Sequence, residues 1–575
     1  MDKLGDFFLA HNQLGYRNGS RSKRLIAPDS PAARNIFGDR VFWLMEQNRF
    51  SMESLNSPRQ HEYTHRAAFR ISDGDLGRWL VGDFSSVQQN GIYQAWCGNT
   101  AGCAFAVRDD VYRRIIPTLV QYFVIQSCGR EVPGWHEACH LDDGFCPEES
   151  TYIEAAGGWH DAGDFRKWVS STSMAPISLL IAHRTWTGRE QQLGLRPDAF
   201  LDEAMQGVKF FLGMQDQRTG RVYDNVGGGR VSFHDNEDNR YTDNIPRSGD
   251  ERRVGMRAAR CPPKFTTLYA MYANDLRSRD RELSDRCLAA ALKSDEFDRS
   301  ELDESAESLQ WRAWAHLELW QATSDEKHRA AALAAISALL ALQVTDYIGG
   351  QKITRGFFRH HATKPGYHRK HVGAHYTIWV IAQFLATWPD HADAPRWKDA
   401  IRLWAEEYVK VFAARNAFGL LPYALYDVPP ADHPKCTYRP LGDGLCFRYF
   451  TADNPFGVNA RNALAASALS AAYRVTGDEA LLDLAYQQLD WILGANPLML
   501  SFVTGVGVRT PSALSFQMGN IPGGVTMGIG GDRADMPSYF NGAHPWLCCD
   551  EYYSYQNAHF LWAVTELENQ QWSKR

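Results

Sequence analysis

"YRVTGDEAL", residues 473–481, follows one run of apolar residues at helical spacing and opens another. Leu481, Leu482, Ala485, Leu489 and Leu493 recur at that spacing, and Gly494 stands where a helix would stop. Thr476, Gly477 and Asp478 between the two runs are turn and N-cap chemistry, which a helix–turn–helix hairpin requires. "RTWTGREQQ" (184–192) and "WQATSDEKH" (320–328) echo the arrangement. Leu201, Met205, Val208 and Leu212 carry the same periodicity. The echoes are too far apart for a short solenoid period. They suit several helical hairpins gathered into a bundle or a closed α/α barrel.

Before about Tyr112 the pattern is different. "VFWLMEQ" (41–47), "RAAFRIS" (66–72), "RWLVGDF" (78–84), "GIYQAW" (91–96) and "CAFAV" (103–107) are short apolar or alternating runs separated by Gly, Asp, Asn and Ser. Such spacing predicts a small all-β sandwich. The expected division is a β unit over 1–108 and a helical domain over 109–575.

Composition narrows the function. The chain has 575 residues, 44% hydrophobic and 22% charged, enough for a large core. A net charge of −6 without a Lys/Arg block argues against a nucleic-acid partner. No apolar run reaches the roughly 18 residues that a membrane span needs. The N-terminus "MDKLGDFFLAHNQLGY" lacks a secretory pattern. A cytoplasmic protein is expected, or a secreted one whose leader has been removed. Eleven cysteines, with Cys548 and Cys549 adjacent, fit a reduced compartment, whereas Cys97 and Cys103 would be a candidate pair in an oxidising one.

Two constellations carry chemistry. In "QSCGREVPGWHEACHLDDG" (126–144), Cys128, Cys139 and His140 precede His160. Two thiolates and two imidazoles make a closed tetrahedral zinc site, with His136 as a substitute ligand. The adjacency of Cys139 and His140 demands a loop around the metal. The competing reading is packed cysteines and ordinary loop histidines. The second constellation is acidic. Asp161 and Asp164 lie in "GGWHDAGDFRKW" (157–168), and Asp550 and Glu551 open what reads as a final helix bearing Phe560, Ala563 and Leu567 inward. Hydrolysis of a glycosidic bond needs one carboxylic acid and one carboxylate across that bond. Aspartates beside glycine are also common turn chemistry, and acids in a first helical turn are common caps.

These stretches resemble glycoside hydrolase family nine, mostly bacterial and plant cellulases. "GGWHDAGDFRKW" is similar to the family's first signature, and "EYYSYQNAHF" (551–560) to its last, with Glu551 and Asn557 at the family's spacing. "LDWILGANPLMLSFVTGVG" (489–507) resembles a third stretch. "HNQLGYR" (11–17) and "GDFSSVQQNGIYQAW" (82–96) resemble an immunoglobulin-like module that often precedes the catalytic domain. The resemblance implies an (α/α)6 barrel behind that module. It implies an inverting hydrolase of β-1,4-glucans or cello-oligosaccharides with Asp164 as general base, Asp161 holding the water and Glu551 as general acid. It implies zinc on Cys128, Cys139, His140 and His160, and it allows calcium at ligands the sequence does not place.

One segment departs from the family. Where its cellulases carry a Pro-His-His-Arg stretch, this chain reads "VGVRTPSALSFQMGNIPGGVTMGIGG" (506–531), with only Arg509 nearby, and "DRADMPSYFNGAHPWLCCDE" (532–551) is altered too. The rewriting points to a different sugar or an exo-acting cleft. One branch of the family removes glucosamine units from chitosan oligosaccharides, so an exo-β-D-glucosaminidase is the alternative; an ammonium group would need an extra anion, Asp550 or Asp161. A carbohydrate-binding protein without turnover is the third reading. Among aromatics beside the motifs (Trp159, Trp168, Tyr552, Tyr553 and Trp562), half are expected in the core. Tyr555 and Trp159, with Asp550, are the expected substrate contacts.

Overall fold

The structure is a computed structural model that describes residues 7–30, 41–46, 64–227, 241–301, 303–348, 352–363, 373–427, 436–442, 445–451, 456–513, 519–539 and 549–572. Its N-terminal part is a seven-stranded sheet: β1 (Gly15–Tyr16), β2 (Arg24–Pro28), β3 (Val41–Glu46), β4 (His65–Gly74), β5 (Gly77–Asp83), β6 (Gly91–Cys97) and β7 (Thr100–Val107). The order is β1-β7-β6-β3-β4-β5-β2, antiparallel except for the β1–β7 pair. The ten-residue β4 serves two neighbours. His65–Ala68 pair with β3, and Phe69–Gly74 pair with β5. Phe42, Leu44, Tyr93, Ala95, Phe105 and Val107 from one side of this switch pack with Leu25, Ala27, Phe69 and Leu80 from the other, forming a separate apolar cluster. Strand-like alternation works here because one face of each strand is buried. Cys97 and Cys103 are both free thiols; Cys97 Sγ lies 3.2 Å from the Val41 carbonyl.

The rest is dominated by helices. Those that matter below are α1 (Ile116–Gln126), α2 (Met174–Trp186), α3 (Ala199–Met205), α4 (Val208–Gly213), α5 (Pro262–Leu276), α6 (Arg281–Glu301), α7 (Ala306–Thr323), α8 (Glu326–Ala341), α9 (Gly373–Thr387), α10 (Ala394–Trp404), α11 (Asn459–Thr476), α12 (Glu479–Ile492) and α13 (Ser554–Trp572). The hairpin turns form as their sequences dictate. Gly477 (φ 72°) ends α11 in the left-handed region, and Asp478 accepts from Ala480 N at 3.0 Å to start α12. Ser324 (φ 57°) and Asp325, which accepts from Lys327 N at 2.9 Å, repeat the device between α7 and α8. Phe560, Ala563 and Leu567 of α13 are buried.

Two local expectations change. The periodicity through Leu201, Met205, Val208 and Leu212 is divided between α3 and α4 at Gly207. A Cβ there would meet the Trp159 ring at 2.4 Å, so the break lets the indole pack against bare backbone. Asp550 and Glu551 do not open the last helix, which begins at Ser554. They lie in a turn and bridge beside 525–528, held by Met527 N to Glu551 O (2.9 Å), Gly528 N to Cys549 O (2.8 Å) and a bridge between Thr526 and Tyr552.

"HNQLGYR" joins the two parts. Asn12 Nδ2 donates to Tyr112 Oη (2.9 Å) and to Asp490 Oδ1 of α12 (2.8 Å). The Gln13 carboxamide oxygen accepts from Val508 N and Arg509 N at 2.9 and 2.8 Å. Arg509 therefore takes its place at the junction with the sheet. Ala10, Ile26, Trp79 and Val81 of the sheet belong to the same continuous core as the helices.

Candidate active site and metal centre

The loop 157–168 is clamped by α1. Gln126 accepts from His160 N (3.0 Å) through its backbone and donates from its side chain to Ala162 O (2.6 Å). Asp161 N donates to Arg166 O at 2.9 Å, closing a tight turn around Ala162–Phe165. β8 (Lys167–Trp168) then pairs with β9 (Tyr223–Val226), which pairs with β10 (Val254–Ala258). The loop thus hangs between a helix end and a small sheet.

The C-terminal segment meets it. Gly163 N donates to Glu551 Oε1 at 3.3 Å, and Ser554 N, at the start of α13, donates to Asp161 O at 2.7 Å. Asn557 fixes this approach: its carbonyl oxygen accepts from Val525 N (2.9 Å) and its amide donates to Tyr553 O (2.7 Å). Asp161 and Glu551 are buried, whereas Asp164 is partly exposed. Burial, and next the charge of Asp164, push the Glu551 carboxyl up to about 8. The same two causes, in the same order, raise Asp161 well above the carboxylate range. The site therefore offers a carboxyl that keeps its proton at neutral pH beside a more accessible aspartate, the pairing an acid and a base need. Tyr553 hydrogen-bonds the Glu551 side chain and Tyr122 of α1 lies within electrostatic reach of Asp161 and Glu551. Neither role was legible. Tyr122 sits in an apolar helical run that reads as core.

Of the expected sugar contacts, Trp159 is corrected. It is fully buried and its indole N–H donates to Glu203 Oε1 at 3.0 Å, so it presents no face to a ligand. Trp562 and Tyr552 are core residues as well. Tyr555 is half-buried, its ring 4.4 Å from that of His559. Trp168 is also half-buried, with the Arg166 guanidinium 5.2 Å over its ring. Asp550 is buried next to Glu551.

Cys128, Cys139, His140 and His160 come together, all buried, with their ligand atoms within 4.8 Å of one another. His136 is elsewhere engaged, at Ile125 O and Glu137 O. Cys128 Sγ is 3.8 Å from His140 Nδ1, and Cys139 Sγ is 3.8 Å from His160 Nε2. Sulfur and nitrogen sharing a tetrahedral zinc ion lie roughly 3.6 Å apart. His160 Nδ1 is buried without a hydrogen-bond partner among the described residues. Burial alone would raise the Cys128 thiol, but the Cys139 contact, Lys167 and His160 outweigh it and hold it well below its usual value, while the same contact, and next burial, push the Cys139 thiol up. Lys167 Nζ, 3.7 Å from Cys128 Sγ, and Arg252 both pair with Asp143, at 2.7 and 2.6 Å, in a buried ion network behind the cluster. The donor set fits zinc. Asp142, Asp243 and Asp250 form an all-carboxylate group near Thr242, a type that also occurs without an ion.

The fold is similar to that of solved glycoside hydrolases. A metagenome-derived glycoside hydrolase family 9 endoglucanase superposes with a TM-score of 0.71 over 98% of this chain and 99% of that one, at 19% identity. The profile of glycosyl hydrolase family 9 matches residues 112–524, a stretch that holds both the Asp161–Asp164 loop and the Cys/His cluster. The chain belongs to that family. It is 25% identical over 304 residues to Endoglucanase D of Acetivibrio thermocellus, covering 46% of this chain and 47% of that protein. The match thus spans about half the length of Endoglucanase D. The Cellodextrinase of Butyrivibrio fibrisolvens is 23% identical over 506 residues, 81% of each chain.

Proposed function

We propose that this chain is an inverting glycoside hydrolase that cleaves β-1,4-glucans or cello-oligosaccharides, with its helices arranged as an (α/α)6 barrel behind an immunoglobulin-like module. The observation that carries it is the 3.3 Å bond between Gly163 N and Glu551 Oε1, which brings the proton-holding glutamate to the loop that bears Asp161 and Asp164. Glu551 gives its proton to the glycosidic oxygen as the C–O bond breaks. Asp164 takes a proton from the water that attacks the anomeric carbon from the opposite face, and Asp161 orients that water. The configuration inverts and each carboxyl ends in the other's protonation state. The Endoglucanase D and Cellodextrinase relatives support the glucan assignment. A protein that only binds sugar has no use for a carboxyl kept protonated at about 8 beside a second aspartate.

Cys128, Cys139, His140 and His160 would hold zinc in a structural role. His160 directly precedes Asp161, so the cluster would fix the loop that carries the base. A second reading, exo-β-D-glucosaminidase, is favoured by Asp550: freed from any role as a helix cap, this buried carboxyl lies beside Glu551, where it would face an ammonium group.

The test is product analysis on cellohexaose and on a chitosan hexamer, with anomers followed by NMR. Shorter cello-oligosaccharides appearing first as α-anomers support the glucanase. Single glucosamine units from chitosan alone would transfer the function to the second reading. Retained β-configuration on either sugar would overturn the mechanism.

A further inference from the structure

Away from the catalytic loop, three consecutive helices bring together Asp295 of α6, His316 of α7 and His328 in the first turn of α8. All three are buried, and one ligand atom of each lies within 4.8 Å of the others. His316 Nδ1 faces His328 Nδ1 at 3.1 Å, and His316 Nε2 lies 3.4 Å from Asp295 Oδ1. His328 Nε2 is buried with no hydrogen-bond partner among the described residues.

Proton counting shows what is missing. Neutral imidazole has one N–H and one lone pair. If His316 donates from Nε2 to Asp295, its Nδ1 presents a lone pair to His328. When His328 donates from Nδ1, its buried Nε2 lone pair has no partner. When it carries the proton on Nε2, two lone pairs confront each other at 3.1 Å. Either tautomer leaves a buried lone pair uncompensated, and a cation between the two Nδ1 atoms turns the facing lone pairs of the second tautomer into ligands. Two nitrogens on one tetrahedral zinc ion stand roughly 3.3 Å apart, close to the separation seen.

The surroundings suit such an ion. Asp295 supplies negative charge. Of the neighbouring cations, Arg312 is already bound by Asp298 through two bonds of 2.9 and 3.3 Å, Arg299 reaches Asp295 Oδ2 at 3.4 Å from an exposed position, and Lys327 pairs with Asp325 at 3.0 Å.

We propose that Asp295, His316 and His328 form a second metal site, for a borderline divalent ion such as Zn2+, that ties α6, α7 and α8 together. Imidazole and carboxylate select zinc, nickel or copper over calcium and magnesium. Three protein ligands leave a fourth position for a water. The site shares no ligand with the Cys/His cluster, so its fate is independent of whether that cluster holds zinc.

The test is metal content of the full chain after dialysis against zinc and removal of loosely bound ion. His328→Gln and Asp295→Asn should each bind one equivalent less than the unaltered protein, and added zinc should raise the thermal midpoint of the unaltered protein more than theirs. Equal zinc content in all three would overturn the proposal. If the variants fail to fold, cobalt titration of the unaltered protein decides. The expected result is a class of bound Co2+ with d–d absorption but no thiolate charge-transfer band; saturation without such a class would overturn it equally.

Discussion

Gly163 N and Glu551 Oε1 are 3.3 Å apart across 388 positions of sequence. This one bond sets the proposed acid against the loop of the proposed base, and burial then keeps its proton in place. Glu551→Gln should therefore lower kcat on the natural substrate by about 10²–10⁴-fold with little change in substrate binding. Binding by calorimetry beside initial rates checks this, and a variant with rates near those of the unaltered protein would remove Glu551 from the mechanism.

The pH profile carries a second expectation. A general acid works only while protonated, and Glu551 holds its proton up to about 8. kcat/KM should be sustained below that value and fall as pH rises through it. An alkaline limb starting near the ordinary carboxyl value, well below neutrality, would contradict the assignment.

Asp161 and Asp164 should separate under substitution. Asp164 is the more accessible, and its charge, after burial, raises both Asp161 and Glu551. Asp164→Asn should lower kcat by about 10²–10⁴-fold and shift the alkaline limb of the remaining activity downward, because a charge facing Glu551 is gone. Asp161→Asn should cost less in kcat. The paired pH profiles make the comparison, and an unmoved alkaline limb in Asp164→Asn would show that the two carboxyls do not sense each other.

Removal of the zinc proposed for the Cys/His cluster should strike stability and activity together. The proposed ligand His160 is the neighbour of Asp161, and the loop is otherwise held by Gln126 and the Asp161–Arg166 bond. Cys128→Ser should lose the thiolate-bound ion, lower the thermal midpoint and reduce kcat more than it raises KM. Normal kcat in a metal-free variant would make the cluster irrelevant to the loop.

What could be read from sequence was what local chemistry decides. The turns at Ser324–Asp325 and Gly477–Asp478 were legible because a left-handed residue and an N-cap act within one turn of chain. The strands from Val41 to Val107 were legible from alternation, but the short β1 and β2 were not, since distant partners define them. Trp159 read as a sugar contact because its partner Glu203 lies on α3, distant in sequence. Asp550 and Glu551 read as the opening of the last helix because their pairing with 525–528 is non-local. Asp295, His316 and His328 gave no motif, because helix packing rather than spacing unites them.

Asp490 tests the junction between the sheet and the helices. It accepts from Asn12 at 2.8 Å in the core, and burial raises its carboxyl from 3.8 to about 7. The folded chain therefore holds a proton there that the unfolded chain releases near 4. Between these values the folded state binds more protons, so stability falls as pH rises from about 4 to about 7, by up to on the order of 1.4 kcal/mol per pH unit for this group, and is level above. Asp490→Asn keeps an acceptor for Asn12 and never ionises. It should match the unaltered protein near pH 4 and exceed it by a few kcal/mol at pH 8. Denaturant unfolding at the two pH values checks this, and a variant less stable at pH 8 would mean that the ionised carboxylate is what the junction uses.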